Sequence, residues 1–129
     1  MTETPRVTVE PGSWAVARLA PDSPVPRWAS SDVFSSITRT GEELSIVCPE
    51  SAVPEGVRVE RGWTMLKLAG PFPFTATGVL ESVLAPLAVA KISVFAVSTF
   101  DTDYVLVPKS ALSLAIDAIE AARIGPVTP

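Results

Sequence analysis

The chain repeats itself. Residues 39–49 read Arg-Thr-Gly-Glu-Glu-Leu-Ser-Ile-Val-Cys-Pro and residues 98–108 read Ser-Thr-Phe-Asp-Thr-Asp-Tyr-Val-Leu-Val-Pro. Thr40 falls on Thr99, Glu42 on Asp101, one apolar run on another and Pro49 on Pro108, at an offset of 59. A repeat constrains architecture before any single motif does, because each copy is one supersecondary unit that needs a neighbour to bury its apolar face. Upstream, Leu19-Ala20-Pro21 and Ala69-Gly70-Pro71 also correspond, each closing an apolar run. Pro21 to Pro49 spans 28 positions, whereas Pro71 to Pro108 spans 37, so the first copy is the shorter, most economically in its helix.

Within the first copy, apolar and β-branched patterning predicts strands near residues 13–19, 33–39 and 44–48, with a short helical or turn segment near 24–30 and a hairpin tip at 40–43. Val57-Arg58-Val59 gives a further short strand, and Arg61-Gly62 turns the chain into the second copy. That copy opens with a strand over 64–68 and a Gly70-Pro71-Phe72-Pro73-Phe74 loop. A helix capped by Thr77 follows, with Leu80, Val83, Leu84 and Leu87 on its buried face and Pro86 disturbing its last turns. Strands over 92–97 and 104–107 then flank a polar turn, and a helix over 110–123 carries Leu112, Ile116 and Ile119 inward before Gly125-Pro126 ends it. Residues 1–12 read as a flexible leader, 13–61 as the truncated first unit, 62–124 as the second and 125–129 as a tail. Strand-helix-strand-strand in two copies is the order of a ferredoxin-like α+β sandwich, here two βαββ units sharing an interface.

Composition narrows the function. Ten basic against fourteen acidic residues, with no basic cluster, argue against nucleic acid as a partner. No apolar run approaches the ~20 residues of a membrane helix, and the first residues lack the basic and apolar regions of a signal peptide, so a cytoplasmic, membrane-free protein is expected. The chain has no histidine, which removes the usual triads, most zinc sites and the common neutral-pH base. Cys48, alone and inside Ile46-Val47-Cys48, reads as a buried hydrophobe. A 47% apolar content and apolar residues on both parities of 92–97 predict that a partner, most simply a second copy in a homodimer, covers part of the surface.

The densest polar stretch is the turn Ser98-Thr99-Phe100-Asp101-Thr102-Asp103, and the loop through Gly70, Pro71, Phe72 and Phe74 to Gly78-Val79 precedes the first helix. A helix N-terminus offers free N–H groups to a carboxylate. Asp101 and Asp103 offer the opposite charge to an ammonium or guanidinium, while Phe72, Phe74 and Phe100 supply apolar walls. The same two carboxylates are equally what an Asx turn employs. No nucleophile–base pair, cofactor loop or metal cluster accompanies them, so no enzyme activity, cofactor or metal is assigned.

Gly70 to Leu80, then Leu87-Ala88-Val89-Ala90-Lys91-Ile92-Ser93-Val94 and the Ser-Thr-Phe-Asp-Thr-Asp-Tyr turn, resemble ACT domains, in particular the tandem ACT proteins of bacteria related to the cytosolic arginine sensors of animals. The resemblance covers roughly residues 13–123. The usual Asp-x-Pro-Gly loop is replaced by the longer 70–77 segment, and the first copy has a short helix. It implies a non-catalytic sensor or regulator that binds an amino acid or related metabolite at the strand–helix loop, through Gly70, Pro71, Phe72, Phe74, Gly78, Val79, Ser98, Thr99, Phe100, Asp101, Thr102 and Asp103. Asp103 falls at the acidic position that contacts ligand in those sensors, and Thr102 stands where they carry an aromatic. The alternative reading is an interaction or dimerisation module whose pocket is vestigial.

Overall fold

A computed structural model describes residues 5–70, 72–73, 77–122 and 126–129. It divides into two compact units, Gly12–Trp63 and a discontinuous one made of Met1–Pro11 with Thr64–Pro129. Two long strands contribute to both, β1 (Arg6–Leu19) and β4 (Arg58–Ala69). The fold is α+β and mostly sheet.

In the Gly12–Trp63 unit, β2 (Ser36–Arg39) and β3 (Leu44–Pro49) form an antiparallel hairpin, and β3 also pairs with β1 from Trp14↔Pro49 to Leu19↔Leu44. Alternate residues Ala15, Ala17, Leu44, Ile46 and Cys48 close a core with Ala29 and Val53. The shortened helix is reduced to a single 3-10 turn at Arg27–Ala29. β2 starts later than the apolar pattern suggests, because the Ser31 hydroxyl accepts from the N–H groups of Val33 and Phe34 and holds those residues in a turn. Val33 is left 76% exposed.

In the other unit the strand order runs from β1 through β4 and β6 (Asp103–Pro108) to β5 (Phe95–Ser98). β7 (Val127–Thr128) lies parallel to the start of β1, Val7 against Val127 and Thr8 against Thr128. Two helices, α1 (Val79–Val89) and α2 (Leu112–Ala121), pack on this sheet. Val7, Leu66, Leu68, Val105 and Val107 from the strands meet Val83, Leu87, Ala115 and Ile119 from the helices in one core. Those strand residues alternate, which places them on the face the helices cover, while Met65 and Leu106 of the opposite parity are buried as well.

Several elements differ from the sequence reading, each for a local reason. Residues 6–11 are strand, not a flexible leader: Val7 and Val9 pack on the core, and Gly12 takes φ +104 inside β1 without ending it. Arg61-Gly62 is not a turn, since β4 runs through it. Gly62 adopts φ +82, and its N–H is satisfied by Glu50 Oε1 at 2.6 Å. The cap of α1 is Gly78, with φ 76, in place of Thr77. Residues 92–94 are not strand, because they leave α1 through a Schellman closure. Lys91 takes φ 60, its N–H donates to the Ala88 carbonyl, and the Ile92 N–H reaches back to the Leu87 carbonyl. Ile92 is thus buried against Leu87 as the anchor of that cap. The second helix begins with a 3-10 turn at Lys109–Ala111, and its buried residues are Ala115 and Ile119, with Leu112 and Ile116 only half-buried. The expected helix end at 123–125 lies outside the described residues.

The internal repeat reappears in the backbone. Arg39 pairs with Leu44 as Ser98 pairs with Asp103, and Ser36 with Val47 as Phe95 with Leu106, all at the offset of 59. Pro49 and Pro108 take nearly the same dihedrals, and each precedes a three-residue 3-10 turn. The tips match too. Thr40 N–H donates to the Glu43 carbonyl at 2.9 Å, and Thr99 N–H to the Thr102 carbonyl at 2.8 Å. Each threonine hydroxyl accepts from the N–H at the far side of its turn, Glu43 or Thr102, at 3.2 Å.

Candidate functional site

The β5–β6 turn and the loop after β4 stand around one cavity of about 230 Å³, lined by Phe72, Pro73, Val79, Ser98, Thr99, Phe100, Asp101, Thr102 and Asp103. The β5–β6 register delivers the turn: Ser98 opposite Asp103 closes the ladder, and the four residues from Thr99 to Thr102 form a tip locked by the Thr99 side chain. Thr99 Oγ1 donates to the Thr102 carbonyl at 2.9 Å while accepting the Thr102 N–H, so one hydroxyl satisfies both backbone groups of Thr102. Asp101 is exposed and Asp103 half-buried. The lining thus carries two carboxylates and no basic side chain.

Val79 is the first residue of α1 and brings the helix N-terminus to the cavity. Gly78 caps that helix with its left-handed backbone, and no side-chain cap hydrogen bond is made there among the described residues; the Ser82 N–H already bonds the Gly78 carbonyl at 3.0 Å. The Ser82 hydroxyl turns back to the Val79 carbonyl at 2.6 Å.

Eight of the twelve residues singled out in the sequence line this cavity: Phe72, Val79, Ser98, Thr99, Phe100, Asp101, Thr102 and Asp103. Gly78 shapes it from the helix cap without lining it. Gly70 does not line it either, and its need for glycine is steric. A Cβ there would lie 2.5 Å from the Phe72 nitrogen and 2.7 Å from its ring. Pro71 and Phe74 lie outside the described residues. Pro73, on the wall, was not singled out; its place between two phenylalanines in the same loop was the available signal. A second, larger hollow of about 700 Å³ sits along the start of β1, bordered by Arg6, Thr8, Glu10, Lys67 and Thr128 among others. Among the described residues no group of three or more acidic, histidine or cysteine side chains could hold a metal ion. No helix of the described residues is long and apolar enough to cross a membrane.

Comparison with known proteins bears on the family and the fold. The ACT-domain family model matches residues 58–121, and a second model, of an N-terminal domain, matches residues 12–56. The human protein named cytosolic arginine sensor for mTORC1 subunit 1 is 33% identical over 64 residues, covering 49% of this chain and 20% of the sensor. The rat sensor gives the same identity over the same length. The chain therefore spans about a fifth of the length of these curated relatives. A crystallised protein of Agrobacterium tumefaciens is 40% identical, with a TM-score of 0.90 over 99% of this chain and 94% of that one. The regulatory subunit of aspartate kinase from Thermus thermophilus shares the fold at 11% identity, with a TM-score of 0.65 over 93% of this chain and 99% of that one. With its ACT domain over residues 58–121, the chain belongs to the ACT-domain family and is related to the cytosolic arginine sensors.

Proposed function

We propose that this chain is a non-catalytic regulatory module that binds an amino acid or a closely related metabolite in the cavity between the loop after β4 and the β5–β6 turn. The observation that carries the reading is the lining itself. Apolar walls from Phe72, Pro73 and Val79 face two turn carboxylates, beside the first turn of a helix whose N–H groups suit an anion. A zwitterion has both charges this arrangement complements. The volume, about 230 Å³, lies below the roughly 300–1,000 Å³ of drug-sized sites and suits a molecule of amino-acid size. The sensor's name gives arginine as that protein's ligand. In this chain the ligand is read from the cavity only as far as its class.

The matched hairpins and the two compact units support the further reading that the chain is a tandem of ACT-like units, the first with its helix reduced to a turn. The relatives' description as cytosolic supports a cytoplasmic protein. Homodimerisation is the second reading, favoured by Val89 and Phe100, which are 85% and 81% exposed on the ACT domain. Light scattering at micromolar concentration tests it, and a monomer would end it.

A thermal-shift screen over the common amino acids tests the main reading, since a ligand of the folded state raises stability by RT ln(1 + [L]/Kd), about 2.7 kcal/mol at a hundredfold excess over Kd. Asp103→Ala is expected to weaken the responding ligand roughly ten- to a hundredfold, the ~1.5–3 kcal/mol of a charge-assisted hydrogen bond, while leaving the unliganded melting temperature nearly unchanged. Unchanged affinity in calorimetry would make Asp103 a turn former only.

A further inference from the structure

Arg39 and Ser98 occupy the same place in the two hairpins. Each ends the first strand, and each pairs with the first residue of the second, Leu44 or Asp103. The connections facing them also correspond, since β1 ends at Leu19 and β4 at Ala69, each followed by a small residue and a proline. In the second copy that place is the cavity, with Phe72 and Pro73 on one side and Ser98 on the other. In the first copy it is spanned by a side chain. The Arg39 guanidinium donates to the Pro21 carbonyl through one terminal nitrogen and to the Ser23 carbonyl through the other, at 2.8 Å. Residues 20–23 present these carbonyls because they are folded into a turn, with the Ser23 N–H on the Ala20 carbonyl.

We infer that the first copy holds the counterpart of the ligand pocket closed by its own arginine, and that the short side chain at position 98 is what leaves the second copy open. The inference rests on reading the cavity as the ligand site. Its chemistry follows from the guanidinium, a planar fork able to bridge two carbonyl oxygens a turn apart. A serine reaches neither. One ligand per chain is therefore expected, with position 98 deciding access.

The test is Ser98→Arg in the full chain, with Ser113→Arg on the exposed face of α2 as a control that adds the same charge elsewhere. Calorimetry uses whichever common amino acid stabilises the wild-type protein. Ser98→Arg should weaken it at least about tenfold, and Ser113→Arg should leave it within about twofold. Wild-type affinity in the Ser98→Arg protein, or a wild-type stoichiometry of two, overturns the inference. If no amino acid binds the wild type, the functional reading fails, and the crystal structure of the Ser98→Arg protein decides the inference. The new guanidinium bonded to the backbone carbonyl of Phe72 or Pro73 upholds it, and a guanidinium in solvent overturns it.

Discussion

Replacing Lys91 by glycine should make the protein more stable. Lys91 holds φ 60 to let α1 close on itself, and its side chain is exposed. An L-residue in the left-handed region costs roughly 1–2 kcal/mol, whereas glycine enters it freely. Against this stands the extra freedom of glycine in the unfolded chain, about 0.5–1 kcal/mol. No packing is lost, so the balance is a gain of about 0.5–1 kcal/mol, or ~2–4 °C in Tm for a domain of this size. Differential scanning calorimetry with Lys91→Ala as control reads it directly, since alanine keeps the strain and should stay within ~0.5 kcal/mol of wild type. The reasoning has a sharp opposite. Were residues 92–97 one continuous strand, as their composition suggests, a glycine at 91 would only add disorder and lower Tm. A glycine variant no more stable than the alanine variant would refute the capping account.

Thr99→Val and Thr40→Val should each cost about 1 kcal/mol by urea denaturation, because each removes the hydroxyl that closes an exposed hairpin tip, and only the former should also weaken ligand binding; a large difference in stability cost would contradict the equivalence of the two turns. Leu87→Ala, at a fully buried position in contact with the cap, should cost ~2–5 kcal/mol, and a loss under 1 kcal/mol would mean that the helix is loosely docked. Burial raises the Cys48 thiol above its ordinary value of 9.0, outweighing the opposing charge of Arg61. The folded state thus holds this proton more tightly, and its contribution is complete below pH 9.0 and lost as pH rises past it. Cys48→Ala should flatten that alkaline decline, and native-state alkylation should be slow; rapid labelling at neutral pH would contradict the burial.

The repeat was legible because hairpin chemistry is local. Thr40 and Thr99 each bond their own turn, so the pattern survives whatever else each copy has lost. The cavity was legible for the same reason: a polar turn and a loop before a helix are sequence-visible objects. Less visible was how strands tolerate breakers. Gly12 and Gly62 read as boundaries, yet the structure keeps them inside β1 and β4, because ladder pairing on either side and the Glu50 carboxylate satisfy what the local sequence leaves open. Ile92 was misplaced because an apolar residue after a helix looks like the start of a strand. Only the carbonyl partners of residues 91 and 92 reveal a cap. Likewise Arg39 looked like an ordinary hairpin residue until the carbonyls of Pro21 and Ser23 appeared on its guanidinium.

The strand pairing of Val7 with Val127 lies outside the matched segment 58–121 and belongs to a compact unit that is non-contiguous in sequence. A ribosome releases residues 6–11 long before their partner at 127–128, with the whole of Gly12–Trp63 emerging in between. Those six residues carry a core valine and must wait with one edge open while the intervening unit is already long enough to fold. The segment 58–121, excised by itself, would lack both strands, leave Leu66 and Leu68 beside an unfilled position, and present an unpaired edge of the kind that recruits other chains. Domain borders for expression here are therefore better set by what lies beside β4 than by where the family pattern stops.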